Sequence, residues 1–266
     1  MKKNLDINPI DLKEYYYIQN MSLEDIGKHY GCTRVNIYHL FKKFEIPLRT
    51  KSESRELVYN QGKIKVNRIY NRKLFKNWSS KMAYVLGLLY TDGSVGYTQG
   101  KNTLYKRFSF SQTDTQFFNE VCELLSFSGT TYTDKETNCN SVSISNIEMV
   151  EDLEKLGLYP NKSLTLKFPD IPIKFLSHFI RGVFDGDGSK IKDENKITIT
   201  SGSRNFIYPL SDLLLKNGIY NKVYSYKYHT LTISRKSELD KFFTFIYKDK
   251  KNMYFKKKYN KFKMYI

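Results

Sequence analysis

Val85-Leu86-Gly87-Leu88-Leu89-Tyr90-Thr91-Asp92-Gly93 has a second version further along the chain, Ile180-Arg181-Gly182-Val183-Phe184-Asp185-Gly186-Asp187-Gly188. Each copy is a largely apolar run with one internal glycine, closed by Asp-Gly-Ser, and it reads as a helix that ends at its aspartate. A carboxylate is out of place there, because the negative end of the helix dipole disfavours an anion by about 0.3 to 1 kcal/mol. A bound cation reverses that sign. The internal glycines let two helix backbones approach closely if the copies pack together. Asp92 and Asp187 then stand side by side at the end of a shared interface, where two carboxylates make a metal site.

A single Asp-Gly after an apolar helix is an ordinary turn and cap. Duplication changes the weight of the pattern, and more than the motif is repeated. The aspartates lie 95 residues apart. Phe108-Ser109-Phe110-Ser111-Gln112 answers to Ile197-Thr198-Ile199-Thr200-Ser201, and Val142-Ser143-Ile144-Ser145 to Leu231-Thr232-Ile233-Ser234, both at a spacing of 89. Six extra residues near 96–105 of the first repeat account for the difference. A calcium loop starting at Asp185 fails on chemistry, since Lys190 stands where its glycine belongs and Lys196 where its bidentate glutamate belongs.

These paired motifs resemble those of the single-chain, two-motif LAGLIDADG homing endonucleases, over roughly residues 80 to 260. The resemblance implies an α+β fold of two pseudo-symmetric αββαββ halves. Their sheets form a saddle over the major grooves of DNA, with the motif helices at the centre above the minor groove. It implies a monomer that cuts both strands of a long asymmetric duplex by metal-dependent hydrolysis. The last Asp of each motif is the family's metal ligand, which falls on Asp92 and Asp187, with Mg²⁺ as the expected ion. Backbone carbonyls of Thr91 and Gly186 are expected to complete the coordination. Tyr90 departs from the acid that the family often carries at that position, whereas Asp185 keeps it. Gln112 falls where the family often has a polar residue near the catalytic water, and Ser201 is its unequal partner. Lys162 lies where a basic residue approaches the scissile phosphate. Its counterpart falls among Lys256, Lys257 and Lys258, with Lys257 as the choice.

Composition points to the same class of partner. A formal charge of +17 on 266 residues calls for a polyanion, and double-stranded DNA fits better than a membrane. No apolar run is long enough to span a bilayer, and Met1-Lys2-Lys3-Asn4-Leu5-Asp6 lacks the apolar core of a signal peptide. Cys32, Cys122 and Cys139 are odd in number and scattered, as are the four histidines, so neither a disulfide framework nor a zinc cluster is expected. A cytoplasmic location follows.

Residues 1–48 read as a small all-α domain with helices over 11–20, 22–30 and 33–44. The last two fit a helix-turn-helix, with Gly27, Gly31, Ile37 and Leu40 at its packing positions. Arg34, Asn36, His39 and Lys42 then face outward toward base edges or phosphates. A plain three-helix domain with a solvated face is the alternative. Residues 49–80 read as a basic linker, in which Lys63, Lys65, Arg68 and Arg72 either track phosphates or are merely solvated. The first half is expected over 81–170 and the second over 171–266. In half one, strands are predicted at 94–98, 104–112, 127–133 and 139–145, with helices at 115–125 and 146–156. In half two the strands fall at 189–193, 196–201, 219–227 and 229–235, and the helices at 204–217 and 236–247. Alternation gives each sheet one apolar face and one polar face. Arg107, Ser109, Ser143, Lys196, Thr198 and Thr232 lie on the polar faces as candidates for groove contacts.

The expected function is therefore a site-specific homing endonuclease. An RNA maturase acting on a host intron, or a DNA-binding regulator that does not cut, remains open on the same scaffold. The chain starts and ends without splice-junction nucleophiles, which favours a freestanding or intron-encoded enzyme over an intein.

Overall fold

The computed structural model describes residues 7–61, 69–100, 103–191 and 195–264. The chain divides into two compact units, Met1–Val66 and Asn67–Ile266. In the first, helix α1 (Pro9–Lys13) starts on Asn8, whose side chain accepts from the Ile10 amide, and widens into a π turn at Glu14–Ile18. Helix α2 (Leu23–His29) opens with a reciprocal Ser22–Asp25 capping box, and α3 (Arg34–Lys43) is capped by Thr33. The turn between them uses Gly31 at φ +64°. A Cβ on Gly27 would sit 2.8 Å from the Cys32 carbonyl, so the start of α3 can approach α2 only over a glycine. Leu12, Ile26, Ile37 and Phe41 form the core of this unit.

The stretch expected as a linker differs from that expectation at both ends. Helix α4 (Lys51–Asn60) begins it. Thr50 and Glu53 cap that helix reciprocally, the Thr50 amide reaching Glu53 Oε2 at 2.7 Å and the Glu53 amide reaching Thr50 Oγ1 at 3.2 Å. At the other end, Leu74 and Phe75 are buried in the core of the second unit, because an apolar pair gains more by burial than by exposure. Lys63, Lys65 and Arg68 lie outside the described residues. Arg72 is half-buried, its guanidinium 5.8 Å from the centre of the Tyr70 ring.

The second unit is built twice. Helix α5 (Ser80–Asp92) runs directly into β1 (Gly93–Gln99), followed by β2 (Leu104–Gln112), α6 (Thr115–Leu124), β3 (Tyr132–Thr133), β4 (Asn140–Ser145) and α7 (Ile147–Lys155). After short 3-10 turns at Lys162–Leu164 and Ile173–Phe175, α8 (Leu176–Asp187) leads into β5 (Gly188–Lys190), β6 (Ile197–Ser201), α9 (Arg204–Lys216), β7 (Lys222–Ser225), β8 (His229–Ile233) and α10 (Lys236–Tyr247). Each half has a four-stranded antiparallel sheet, in the orders β1-β2-β4-β3 and β5-β6-β8-β7. The register repeats as well. Gly93 faces Phe110 as Gly188 faces Ile199, and Phe108 faces Ile144 as Ile197 faces Ile233. The edge strands β3 and β7 are shorter than predicted, and β5 ends at Lys190, with residues 192–194 outside the described set. A final helix, α11 (Lys256–Lys263), was not expected, because Lys256-Lys257-Lys258-Tyr259-Asn260-Lys261-Phe262-Lys263 has too few apolar residues to show a helical period.

The two halves meet where α5 crosses α8. A Cβ on Gly87 would lie 2.2 Å from the Phe179 carbonyl, and one on Gly182 would lie 2.2 Å from the Tyr84 carbonyl, so the contact is backbone on backbone. Val85, Leu86, Leu88, Phe179, Ile180 and Val183 of the two helices are buried in the core that the halves share. Among the described residues no helix is long and apolar enough to cross a membrane.

Candidate metal and nucleic-acid site

The glycine contact decides where the helix ends fall. Asp92 closes α5 and Asp187 closes α8, and the next residue of each begins a strand, so both carboxylates emerge where the paired helices meet the sheets. Asp92 Oδ2 is enclosed and has no hydrogen-bond partner. A Cβ on Gly186 would come within 1.9 Å of Thr91 Oγ1 and 3.2 Å of Asp92 Oδ2, so a side chain there would displace Thr91 and crowd that oxygen. Burial, and then the Asp187 charge, push the Asp92 carboxyl up to about 6, against the pull of Lys258 and Lys162. Asp187 is raised in the same direction by burial, although it stands more open to solvent. An enclosed, unpartnered carboxylate oxygen next to a second carboxylate is a site short of positive charge.

Two lysines answer part of that need. Lys162 is buried in its 3-10 turn, and its Nζ donates to the Tyr90 carbonyl at 2.9 Å. Lys258, in the first turn of α11, donates to the Phe184 carbonyl at 3.1 Å and the Gly186 carbonyl at 2.5 Å. Burial lowers both ammonium groups from the ordinary lysine range, while Asp187 and Asp92 hold Lys162 up and Asp185, Asp92 and Asp187 hold Lys258 up. The half-two lysine at the site is thus Lys258 and not Lys257. Lys257 is exposed and pairs with Asp114. The separation of lysine from aspartate is 70 residues in half one and 71 in half two. The near equality is a net result: half one has six extra residues near 96–105, and half two has seven more from Ser234 to its lysine than half one has from Ser145 to Lys162.

Other expected site residues are placed differently. Gln112 Oε1 accepts from the Thr113 amide at 2.9 Å and the Asp114 amide at 3.4 Å, so its side chain closes the turn into α6. Ser201 does the same for the turn into α9, accepting from the Ser203 amide at 3.1 Å. The pair is equivalent in local role despite the change of residue. On the polar sheet faces Arg107 is exposed, and Ser109, Ser143, Lys196 and Thr198 are half-buried. Ser109 Oγ is bonded to Ser94 Oγ at 2.7 Å. Thr232 is on the same face but is 7 % exposed, because β8 is an interior strand and the register sets it between Thr198 and Lys222. In the first unit Arg34, Asn36, His39 and Lys42 are all exposed on α3, opposite the buried Ile37 and Phe41.

The polar interior near the site includes residues that the motif alone did not single out. Asp185 is buried and accepts from Tyr84 Oη, Tyr247 Oη and the Phe255 amide. Arg181 is fully buried and donates to the carbonyls of Met253 and Ile246 and to His178 Nδ1. A basic residue between Ile180 and Gly182, in the middle of the motif, is the one sequence signal that pointed to it.

Residues 174–247 match the LAGLIDADG-like domain family. The I-LtrWI LAGLIDADG homing endonuclease, bound to target DNA, superposes at a TM-score of 0.50 with 14 % identity, covering 73 % of this chain and 90 % of that one. The LAGLIDADG meganuclease I-AabMI, bound to uncleaved DNA, superposes at 0.50 with 10 % identity, covering 71 % and 89 %. A probable translation initiation factor IF-2 of Thermococcus kodakarensis is 30 % identical over 171 residues. That alignment takes in 61 % of this chain, and the chain spans 14 % of the length of that relative. The larger unit therefore has the LAGLIDADG homing endonuclease fold.

Proposed function

We propose that the protein is a site-specific endonuclease that hydrolyses both strands of a long duplex DNA, with Asp92 and Asp187 as ligands of Mg²⁺. The observation that carries this reading is the enclosed Asp92 Oδ2, without a partner and beside Asp187, between Lys162 and Lys258. Carboxylate oxygens at two helix C-termini suit a hard divalent cation. The Thr91 and Gly186 carbonyls adjoin the pair, although the second also accepts from Lys258. When bound, such an ion lowers the pKa of a water and neutralises charge developing on the phosphate. Lys162 and Lys258, fixed by backbone carbonyls, hold positive charge toward the phosphates as DNA enters and need no rearrangement to do so. The net charge of +17 draws in the duplex, and Arg107, Ser109, Ser143, Lys196 and Thr198 on the polar sheet faces supply base and phosphate contacts. The fold's likeness to enzymes held on DNA supports that orientation.

In the first unit, α2 and α3 act as a helix-turn-helix that lengthens the recognised site through Arg34, Asn36, His39 and Lys42. Cleavage of a randomised duplex library in Mg²⁺ identifies the target, and binding is then measured in Ca²⁺. Asp92→Asn and Asp187→Asn are expected to abolish double-strand cleavage and retain binding, and full cleavage by either variant refutes the metal assignment. Replacing the four α3 residues by alanine is expected to shorten the footprint at one end without changing the cleavage chemistry.

A further inference from the structure

Tyr90 and Asp185 occupy the same position in the two motif copies, two residues before the site aspartates, and they differ completely in chemistry. The Tyr90 hydroxyl donates to the Leu156 carbonyl at 2.5 Å. Leu156 ends α7, and the chain beyond it passes through Gly157 at φ +88° and Asn161 at φ +57° into the turn that carries Lys162. A Cβ on Gly157 would lie 2.6 Å from the Tyr90 hydroxyl, so this turn is folded directly onto the phenol. Lys162 then returns its ammonium group to the backbone carbonyl of Tyr90 itself. One residue thus holds both ends of the loop, with its side chain at the start and its main chain at the finish.

Asp185 repeats the arrangement with the polarity reversed. Its Oδ2 accepts from the Phe255 amide at 2.9 Å, and Phe255 immediately precedes α11. Lys258, one turn on, returns to the carbonyls of Phe184 and Gly186, the two neighbours of Asp185. Tyr84 Oη at 2.7 Å and Tyr247 Oη at 3.1 Å orient the carboxylate. The identity of each anchor follows from the helix end that it meets. Half one presents the C-terminal cap of α7, where backbone amides already serve the Asp152, Leu153 and Glu154 carbonyls and the Leu156 carbonyl takes the phenol as its donor. Half two presents the N-terminus of α11, whose first amides need an acceptor and favour a negative charge. A carboxylate at position 90 would face a carbonyl, and a phenol at position 185 would face an amide that needs an acceptor.

We propose that Tyr90 and Asp185 are positioning residues, each anchoring the segment that presents its own half's lysine to the carboxylate pair. The anchoring is a property of the fold, and only its catalytic consequence rests on the nuclease reading. The test is trace acylation of the full-length protein with an amine-reactive ester, without DNA or divalent ion, read lysine by lysine by peptide mass spectrometry. Rates followed across pH separate altered access from altered basicity. Tyr90→Phe is expected to raise the limiting rate at Lys162 about tenfold, the equivalent of one lost hydrogen bond, and to leave Lys258 unchanged. Asp185→Asn is expected to do the converse, and the milder Tyr247→Phe to give a smaller rise at Lys258 alone if Asp185→Asn does not fold. An equal rise at both lysines indicates general loosening and overturns the proposal, as does no rise at the anchored one. Strand-resolved cleavage adds an independent arm, in which Tyr90→Phe slows one strand and Asp185→Asn the other. If the wild-type protein cuts no duplex, the nuclease reading fails while the labelling result stands.

Discussion

Leu86 and Arg181 sit on the same turn of the two motif helices, both are fully buried, and they meet different surroundings. Leu86 belongs to the apolar core, and in its half the carbonyl of Leu156 after α7 takes its donor from the Tyr90 hydroxyl. Around Arg181 the chain runs from α10 to α11 through residues 248–255, which leaves the Ile246 and Met253 carbonyls pointing inward. A buried carbonyl without a donor costs about 1–3 kcal/mol, so a guanidinium that reaches both, and His178 as well, suits that half and would be stranded in the other. The position of His178 is taken in half one by Ala83. Duplication therefore constrains the seam between the helices and the strand register, while the outer face of each helix adapts to the segment that it covers.

The seam is where the halves should behave alike. Gly87→Ala and Gly182→Ala each place a methyl 2.2 Å from a backbone carbonyl that cannot move without separating the helices. Both are expected to lose about 3 kcal/mol of stability in denaturant unfolding. A loss in only one of them would break the symmetry of the interface.

The carboxylates should separate the halves. The Asp92 carboxyl titrates at about 6 instead of its ordinary 3.8, so without metal its charged form opposes folding. That penalty is absent below the ordinary value, grows as pH rises toward 6 and is constant above it. Asp92→Asn is accordingly expected to stabilise the metal-free protein by about 2–3 kcal/mol at pH 8 and by nothing near pH 3. Asp187, more open to water, should give a smaller gain. Added Mg²⁺ should stabilise the wild type and neither variant. Equal gains at pH 8 would show that the two sites are equivalent after all.

The smallest effect belongs to half two alone. Burial, then the Arg181 charge, hold the His178 imidazole below its ordinary 6.5, because its Nδ1 must stay unprotonated to accept from Arg181. Its contribution to stability is complete above the ordinary value and declines as pH falls through it toward the lowered folded value. Between pH 7.5 and 5 the wild type should lose more stability than His178→Asn, whose amide oxygen still accepts. An identical pH dependence would mean that the imidazole is not held neutral by this contact.

Much of this was legible from the order of residues. Glycines at the same place in two apolar runs, aspartates 95 residues apart and alternating strands 89 apart were enough to set the helix pairing, the equivalence of strands between the two halves and the location of the carboxylate pair. Those features are periodic, and periodicity survives in one dimension. The Thr50–Glu53 pair that caps α4 was also present in the sequence, in a stretch whose lack of period concealed it. What only the tertiary structure decided was which lysine, Lys257 or Lys258, turns inward, and why Tyr90 stands where half two has Asp185. Neither has a local signature. The inward lysine depends on the phase of a helix held in place by contacts from residues 70 or more positions away, and the choice of phenol or carboxylate depends on whether the helix end packed against it offers a carbonyl or an amide.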